Sequence, residues 1–243
     1  MKTFVGIGSD HEKDVFDEVQ RILDEHKPEV VTIEHPVTVD SRVSKPVDLD
    51  DYQVTWRLGR ARFVFGSLEY QVLSHGRKTV IQIDDFFVYG HPDTDEWETL
   101  EYNATIDFAI RQGLPFYFID WSQDFPDRIF KFWQGRLRSV SIAEHTTYQN
   151  YPKEFSTDEG VTYIAQQDIV PRNRFMADAI NYLLDYVSIV SHTGGNAHFS
   201  SEWGQDNDQR PPLPPPKGLE LQNLVNAERK VVYDLVKGTK QES

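Results

Sequence analysis

Apolar residues along this chain form short continuous runs that alternate with stretches of helical periodicity. Four runs have the length and composition of buried strands, at residues 3–8, 30–34, 115–120 and 187–193. Three other stretches place their apolar side chains on one helical face, at residues 12–26, 98–112 and 172–186. A strand, a helix and a second strand in succession make a βαβ unit, which requires parallel strands. The pattern therefore predicts an α/β fold of three layers, with a mainly parallel central sheet and helices on both faces.

The stretches between these elements are less regular. Residues 51–76 fit either a helix or a strand, whereas residues 79–83 alternate as a strand does. Residues 84–97 are predicted to form an acidic loop. Aromatic side chains are scattered through residues 121–170, and we interpret them as core or lid packing rather than as a ligand site.

The pattern changes near the C-terminus. Residues 204–217 are polar and then rich in proline, so we interpret them as a stiff linker rather than an SH3-type ligand. Residues 218–237 carry a helical apolar stripe, which predicts a C-terminal helix that docks on the domain or forms a homo-oligomer. The predicted units are an α/β domain at 1–203, a Pro-rich linker at 204–217 and a C-terminal helix at 218–243. We expect deletion of the linker and helix to leave a folded core.

Composition narrows the classes of function. The chain has 243 residues, a net charge of -14 and no cysteine. A groove that follows nucleic acid needs basic residues, so no nucleic-acid partner is expected. Without cysteine, disulfides, thiolate catalysis and zinc–thiolate sites are excluded. No run approaches the roughly 18 apolar residues of a membrane span. No signal-peptide segment precedes the first strand, so we expect a soluble cytoplasmic protein.

Three of the strand-like runs end in a residue that can bind a metal ion. His11 and His198 each stand in a Gly-x-x-His motif, and Glu34 ends the run between them. Each glycine allows a sharp turn and a close approach to a ligand. Because the carboxyl ends of strands in an open α/β sheet meet at one edge, these residues predict a metal site with open positions, which is typical of catalysis. The alternative for Glu34 is a helix cap or an ion pair with Arg42.

Other polar residues fit the same edge. Glu101 lies in the first turn of a predicted helix, where it either stabilises the helix dipole or serves the site as a supporting acid or general base. Asp120 ends a strand and has a similar ambiguity. Arg172 opens a helix against the dipole preference, which favours a pairing with Glu34 or a contact with a substrate carboxylate or oxyanion. The remaining histidines lack comparable context and are interpreted as structural: His26, His35, His75, His91, His145 and His192.

Five short motifs occur in a fixed order between residues 8 and 199. They are Gly8-Ser9-Asp10-His11, Val31-Thr32-Ile33-Glu34, Glu101 with Phe118-Ile119-Asp120, Arg172-Asn173-Arg174-Phe175-Met176-Ala177, and Gly195-Asn196-Ala197-His198-Phe199. Together they resemble the TraB/PrgY/TIKI family, also described as TraB/GumN-like, of the EreA/ChaN-like superfamily. The chain departs from that pattern at Pro171, where the family usually has Glu, and at Trp121, where it usually has Arg.

The resemblance implies that His11, Glu34 and His198 bind a divalent metal ion, and it matches Arg172 and Asn173 to the family's Arg-Asn pair. TIKI-type members are metal-dependent proteases. We therefore expect a hydrolase of a peptide or another amide or ester, with Mn²⁺, Co²⁺ or Zn²⁺ as cofactor. In that scheme a general base, Glu101, accepts a proton from the bound water, and Arg172 stabilises the oxyanion. Two alternatives stay open. One is a non-catalytic protein that sequesters a peptide or cofactor on the same fold. The other is metal-free hydrolysis by His and Glu.

Overall fold

The computed structural model describes most of the chain in separate ranges. These are residues 1–11, 13–34, 57–62, 69–75, 77–83, 86–89, 99–114, 116–120, 128–133, 136–141, 154–156, 162–164, 169–201 and 215–243. The strands in them are β1 (Thr3–Ser9), β2 (Val30–Ile33), β3 (Arg57–Arg62), β4 (Glu69–His75), β5 (Lys78–Ile83), β6 (Phe86–Tyr89), β7 (Phe116–Phe118), β8 (Arg128–Trp133), β9 (Arg136–Ser141), β10 (Glu154–Ser156), β11 (Thr162–Ile164), β12 (Ile189–Gly195), β13 (Arg229–Asp234) and β14 (Thr239–Glu242). The helices are α1 (Phe16–His26), α2 (Leu100–Gln112), α3 (Ile169–Leu184) and α4 (Leu221–Leu224).

Eight strands form the main sheet, in the spatial order β14-β13-β1-β12-β2-β7-β8-β9. The five strands from β13 to β7 are parallel to one another, and antiparallel strands extend the sheet on both sides. All four predicted strands are present as β1, β2, β7 and β12. Every residue of β1 and β2 is buried, which explains why they appear in the sequence as continuous apolar runs rather than as alternating ones. Their carboxyl ends lie at one edge of the sheet.

Helices cover both faces of this sheet, so the predicted three-layer α/β fold is confirmed. α1 and α2 pack against one face, where Val5 and Ile7 of β1 point, whereas α3 and α4 pack against the other face with Phe4. The three predicted helices match α1, α2 and α3. Among the helices that the structure describes, none is both long and apolar enough to span a membrane.

The predicted C-terminal helix at residues 218–243 is wrong. Only the four residues of α4 are helical there, and β13 and β14 follow. β13 pairs in parallel with β1 and contributes Val231 to the core on the α1 side and Val232 to the core on the α3 side. In a strand that is buried on both faces, apolar residues point alternately to the two faces. The same residues also fit the spacing of a helical apolar face, which is why the sequence pattern predicted a helix. The sheet thus continues beyond residue 203, and the proposed oligomer contact through a helix loses its basis.

Two small antiparallel sheets lie outside the main one. β3 to β6 form a four-stranded meander, and β10 pairs with β11. The ambiguous stretch at 51–76 therefore contains strands, the predicted strand at 79–83 is part of β5, and the predicted acidic loop at 84–97 contains β6. The rest of that loop lies outside the described residues. The meander is anchored where the backbone carbonyl of Arg77 accepts a hydrogen bond of 2.9 Å from the Asn103 side chain of α2.

Candidate active site

Glu34 stands directly after β2, at the carboxyl edge of the parallel strands, and is only 7% exposed. Its carboxylate accepts three hydrogen bonds. Oε2 accepts from the Gly195 backbone N–H at 2.5 Å, and Oε1 accepts from His198 Nε2 at 2.8 Å and from Arg172 at 2.5 Å. Burial alone would raise the pKa of Glu34, but the charges of His198 and Arg172, with the hydrogen bonds from His198 and the Gly195 N–H, hold it well below its usual value. Glu34 is therefore a buried anion with partners on both oxygens. Arg42, the other partner considered for it, lies outside the described residues.

Arg172 connects Glu34 to a second carboxylate. Its Nε and terminal nitrogen donate to the two oxygens of Asp120, at 3.0 and 2.6 Å, while the same terminal nitrogen reaches Glu34. Asp120 follows β7, and Arg172 lies in the first turn of α3. Of the two roles considered for Arg172, the structure shows the pairing with Glu34. The planar guanidinium makes a bidentate contact with Asp120 on one side and a single hydrogen bond to Glu34 on the other, which fixes the Glu34 carboxylate.

His198 is held from both sides. Its Nδ1 lies 2.5 Å from Asn173 Oδ1, and the Asn173 amide nitrogen donates to the carbonyls of His198 and Leu219, which fixes the orientation of that amide. Asn173 Oδ1 must then accept from Nδ1. Nε2 faces another oxygen, Glu34 Oε1, so a cation at Nε2 would take the place of that hydrogen bond. Asn173 is fully buried, so it positions His198 rather than contacting a substrate.

His11 has a similar arrangement on the α2 side of the edge. Its Nδ1 is hydrogen-bonded to Glu101, a carboxylate of α2 that is 0% exposed, and the Tyr102 ring forms a T-shaped pair with it, with centroids 5.6 Å apart. Burial lowers the pKa of His11, but the hydrogen bond and charge of Glu101, with help from Glu34, raise it above its usual value. The residue itself has φ 63, a left-handed conformation that is uncommon outside glycine. The ring is 38% exposed, and Nε2 has no hydrogen-bond partner among the described residues.

In each Gly-x-x-His motif, the glycine has no side chain where residues of the other motif, or next to it, pack closely. A Cβ on Gly195 would lie 2.8 Å from His11 Nε2 and 3.4 Å from Glu34 Oε2, and a Cβ on Gly8 would lie 2.9 Å from both Asn196 and Phe199. Neither glycine is among the described ones with positive φ. The expected sharp turn is therefore not the reason for glycine here; close packing of neighbouring strand ends is. His11 Nε2 and Glu34 Oε2 consequently border the same backbone position.

His192, for which the sequence pattern predicts only a structural role, lies beside Glu34. It stands inside β12, is 0% exposed, and its Nδ1 lies 2.9 Å from Thr32 Oγ1. Burial lowers its pKa to about 3, so the ring is neutral. Its Nε2 is buried and has no hydrogen-bond partner in the part of the chain that the structure describes. The signal that could have found it is a histidine inside a run predicted to be buried on both faces, where a polar group needs a partner.

The structure thus brings His11, Glu34, His198, Glu101, Asp120, Arg172 and Asn173 together at one edge, and we refer to these seven residues as the Glu34 cluster. Within the described ranges, no three His, Asp or Glu side chains stand in a metal-binding arrangement. A physical reason is visible: the arginine and His198 both occupy Oε1 of Glu34. The donor types nevertheless suit a divalent transition metal, because each motif histidine has Nδ1 held by an oxygen, so that Nε2 is the nitrogen available to bind one.

The fold and this cluster define an α/β protein with a polar site at the carboxyl edge of its parallel strands. Comparison with known proteins adds no identity: no family model matches the chain, and neither the curated proteins nor the solved structures contain a match.

Proposed function

We propose that this chain is a divalent-metal-dependent hydrolase of the TraB/TIKI type, acting on a peptide or another amide or ester. The observation that supports it best is the shared environment of the two motif histidines. Glu101 holds Nδ1 of His11 and Asn173 holds Nδ1 of His198, and both Nε2 atoms lie beside the carboxylate of Glu34. Metal-ligating histidines have this kind of partner on their second nitrogen, which fixes the tautomer and the ring orientation.

In this proposal His11, Glu34 and His198 hold Mn²⁺, Co²⁺ or Zn²⁺. Such an ion, when bound, supplies an acidified water and polarises a carbonyl group. The protein supplies the rest. Arg172 fixes the Glu34 carboxylate. Because Asp120 also binds Arg172, the charge of the guanidinium stays compensated in the buried site. The second role expected for Arg172, a contact with an oxyanion, is not needed for this scheme.

Glu101 has two separate functions in the scheme. Through Oε1 it orients His11, and its Oε2 is buried with no hydrogen-bond partner within the described ranges. This second oxygen is an available acceptor for the proton of an attacking water, so Glu101 remains our candidate for the general base. The peptide, amide or ester class of substrate is inferred from the ordered motifs that resemble the family. The geometry of the protein itself adds the buried, charge-compensated carboxylate of Glu34, on which the scheme depends.

Turnover with and without metal tests this proposal. The purified protein is assayed on a panel of fluorogenic peptides and aryl esters, after chelation and after return of Mn²⁺, Co²⁺ or Zn²⁺. We expect activity that is lost on chelation, restored by metal and abolished in His198→Asn. The matched control is His26→Asn, since the His26 ring is also largely buried, bonded to Tyr233 at 2.7 Å, but belongs to α1.

Two other results would replace the proposal. Bound metal without turnover on any substrate would indicate the sequestering protein. Turnover that resists chelation but depends on His11 and Glu101 would indicate metal-free acid–base hydrolysis, for which this hydrogen-bonded pair would be the catalytic group.

A further inference from the structure

The lone pair of His192 can be located from its hydrogen bonds. His192 faces Thr32 across the parallel pair β12–β2, with Nδ1 2.9 Å from the threonine hydroxyl. That hydroxyl has one hydrogen, which it donates to the Ser191 carbonyl at 3.1 Å. The hydroxyl oxygen must therefore accept from Nδ1–H of His192. A neutral imidazole with its hydrogen on Nδ1 has its lone pair on Nε2, and Nε2 is a buried atom that has no hydrogen-bond partner among the described residues.

This lone pair lies beside Glu34. Gly194 follows two residues later on the same face of β12. A Cβ there would lie 3.1 Å from His192 Nε2 and 2.7 Å from Glu34 Oε2, so both atoms border the same space. The Phe199 ring lies 6.0 Å from the imidazole, centroid to centroid. A buried acceptor that lacks its bond destabilises the folded protein, a cost that an apolar side chain in this strand would avoid. Packing alone therefore does not explain a histidine here.

We propose that His192 Nε2 is a further nitrogen ligand of the cation held at Glu34. The arrangement is the one found at His198: Nδ1 donates to a fixed oxygen, and Nε2 lies beside the Glu34 carboxylate. This inference rests on the proposed function, because both need a cation at the Glu34 cluster. It goes further by making the donor set rich in imidazole. Such a set favours Zn²⁺, Co²⁺ or a similar transition metal over Mg²⁺ or Ca²⁺, which prefer oxygen.

Co²⁺ binding to the full chain tests the inference without any assay of activity. His192→Asn is the informative variant, since the asparagine amide can retain the bond to Thr32 while Nε2 is removed. Affinity is measured by titration calorimetry, and the visible absorption of bound Co²⁺ reports its coordination. We expect His192→Asn to bind Co²⁺ at least about tenfold more weakly, as loss of a supporting or direct ligand contact does, and to change the spectrum. His26→Asn should match the wild type in both.

The possible outcomes separate the two proposals. Wild-type affinity and spectrum in His192→Asn would overturn this inference and leave the proposed function intact. No Co²⁺ binding by the wild type would overturn both. If the variant does not fold, X-ray absorption of the wild-type Zn²⁺ complex decides by counting the imidazole ligands. Three imidazoles support the inference, and two or fewer overturn it.

Discussion

Replacing Glu34 by glutamine gives a sharp test of the Glu34 cluster, because it removes the charge and keeps the shape. In the wild type, one carboxylate oxygen accepts from Arg172 and His198 and the other accepts from the Gly195 N–H. A glutamine can place its oxygen at only one of these positions. Its NH2 group then faces a donor at the other, so at least one buried hydrogen bond is lost and the bonds to charged groups weaken.

The expected loss of stability follows from these contacts. One buried donor left without a partner costs about 1–3 kcal/mol, and breaking a buried ion pair outright costs about 3–5 kcal/mol. In the variant, Arg172 keeps both hydrogen bonds to Asp120, so the loss of stability should be smaller than that for an ion pair broken outright. We therefore expect Glu34→Gln to lower the free energy of unfolding by about 2–4 kcal/mol at neutral pH.

The pH dependence gives an independent check. The folded-state pKa of Glu34 is lowered below its usual 4.5. The contribution of the Glu34 carboxylate to the free energy of unfolding is therefore complete above the unfolded-state pKa, and it is lost as the pH falls through the folded-state pKa. The difference between wild type and variant should therefore shrink in acid. Urea denaturation followed by circular dichroism, with chelator present, measures both quantities. The control is Glu18→Gln, an exposed partner of Arg21, which should cost about 0.5 kcal/mol or less. Equal stabilities of wild type and Glu34→Gln at every pH would refute the reasoning.

Three further predictions concern other parts of the molecule. Asn173→Ala removes the acceptor that holds His198, so metal affinity measured by calorimetry should fall about 10- to 100-fold; an unchanged affinity would contradict that role. Glu101→Gln removes the charge that raises the pKa of His11, so NMR titration should show this pKa falling, and a constant value would contradict the pairing. Deleting residues 229–243 removes β13, with buried side chains worth about 1.5–3 kcal/mol each, and exposes the edge of β1. The shortened chain should lose cooperative unfolding by circular dichroism, whereas a soluble protein with a sharp transition would show β13 to be dispensable.

Much of the fold was predictable because its central elements have strong local patterns. The runs that became β1, β2 and β7 are mostly apolar, as strands buried on both faces require, and β12 begins with the apolar pair Ile189-Val190. The C-terminal strand was not predictable in this way. β13 pairs with β1, more than 220 residues earlier in the chain, and its apolar residues fit a helical spacing as well as a strand. Only the distant pairing selects the strand.

The residues of the site were easier to predict than their roles. Strand ends in a parallel sheet meet at one edge, so His11, Glu34 and His198 could be grouped from topology alone. Which oxygen each imidazole faces depends on helices that cross the sheet, and the bond from Asn173 to His198 is therefore visible only in three dimensions. His192 escaped notice because it stands inside a strand rather than at its end.

The most direct test of the account is elemental analysis of the protein purified without added metal or chelator, compared with Glu34→Gln prepared in the same way. If His11, Glu34 and His198 share a cation, the wild type should contain about one divalent transition-metal ion per chain, since a site of three protein ligands binds a single ion. The variant should contain much less. A wild-type protein without metal, or equal metal content in the two proteins, would contradict the central claim.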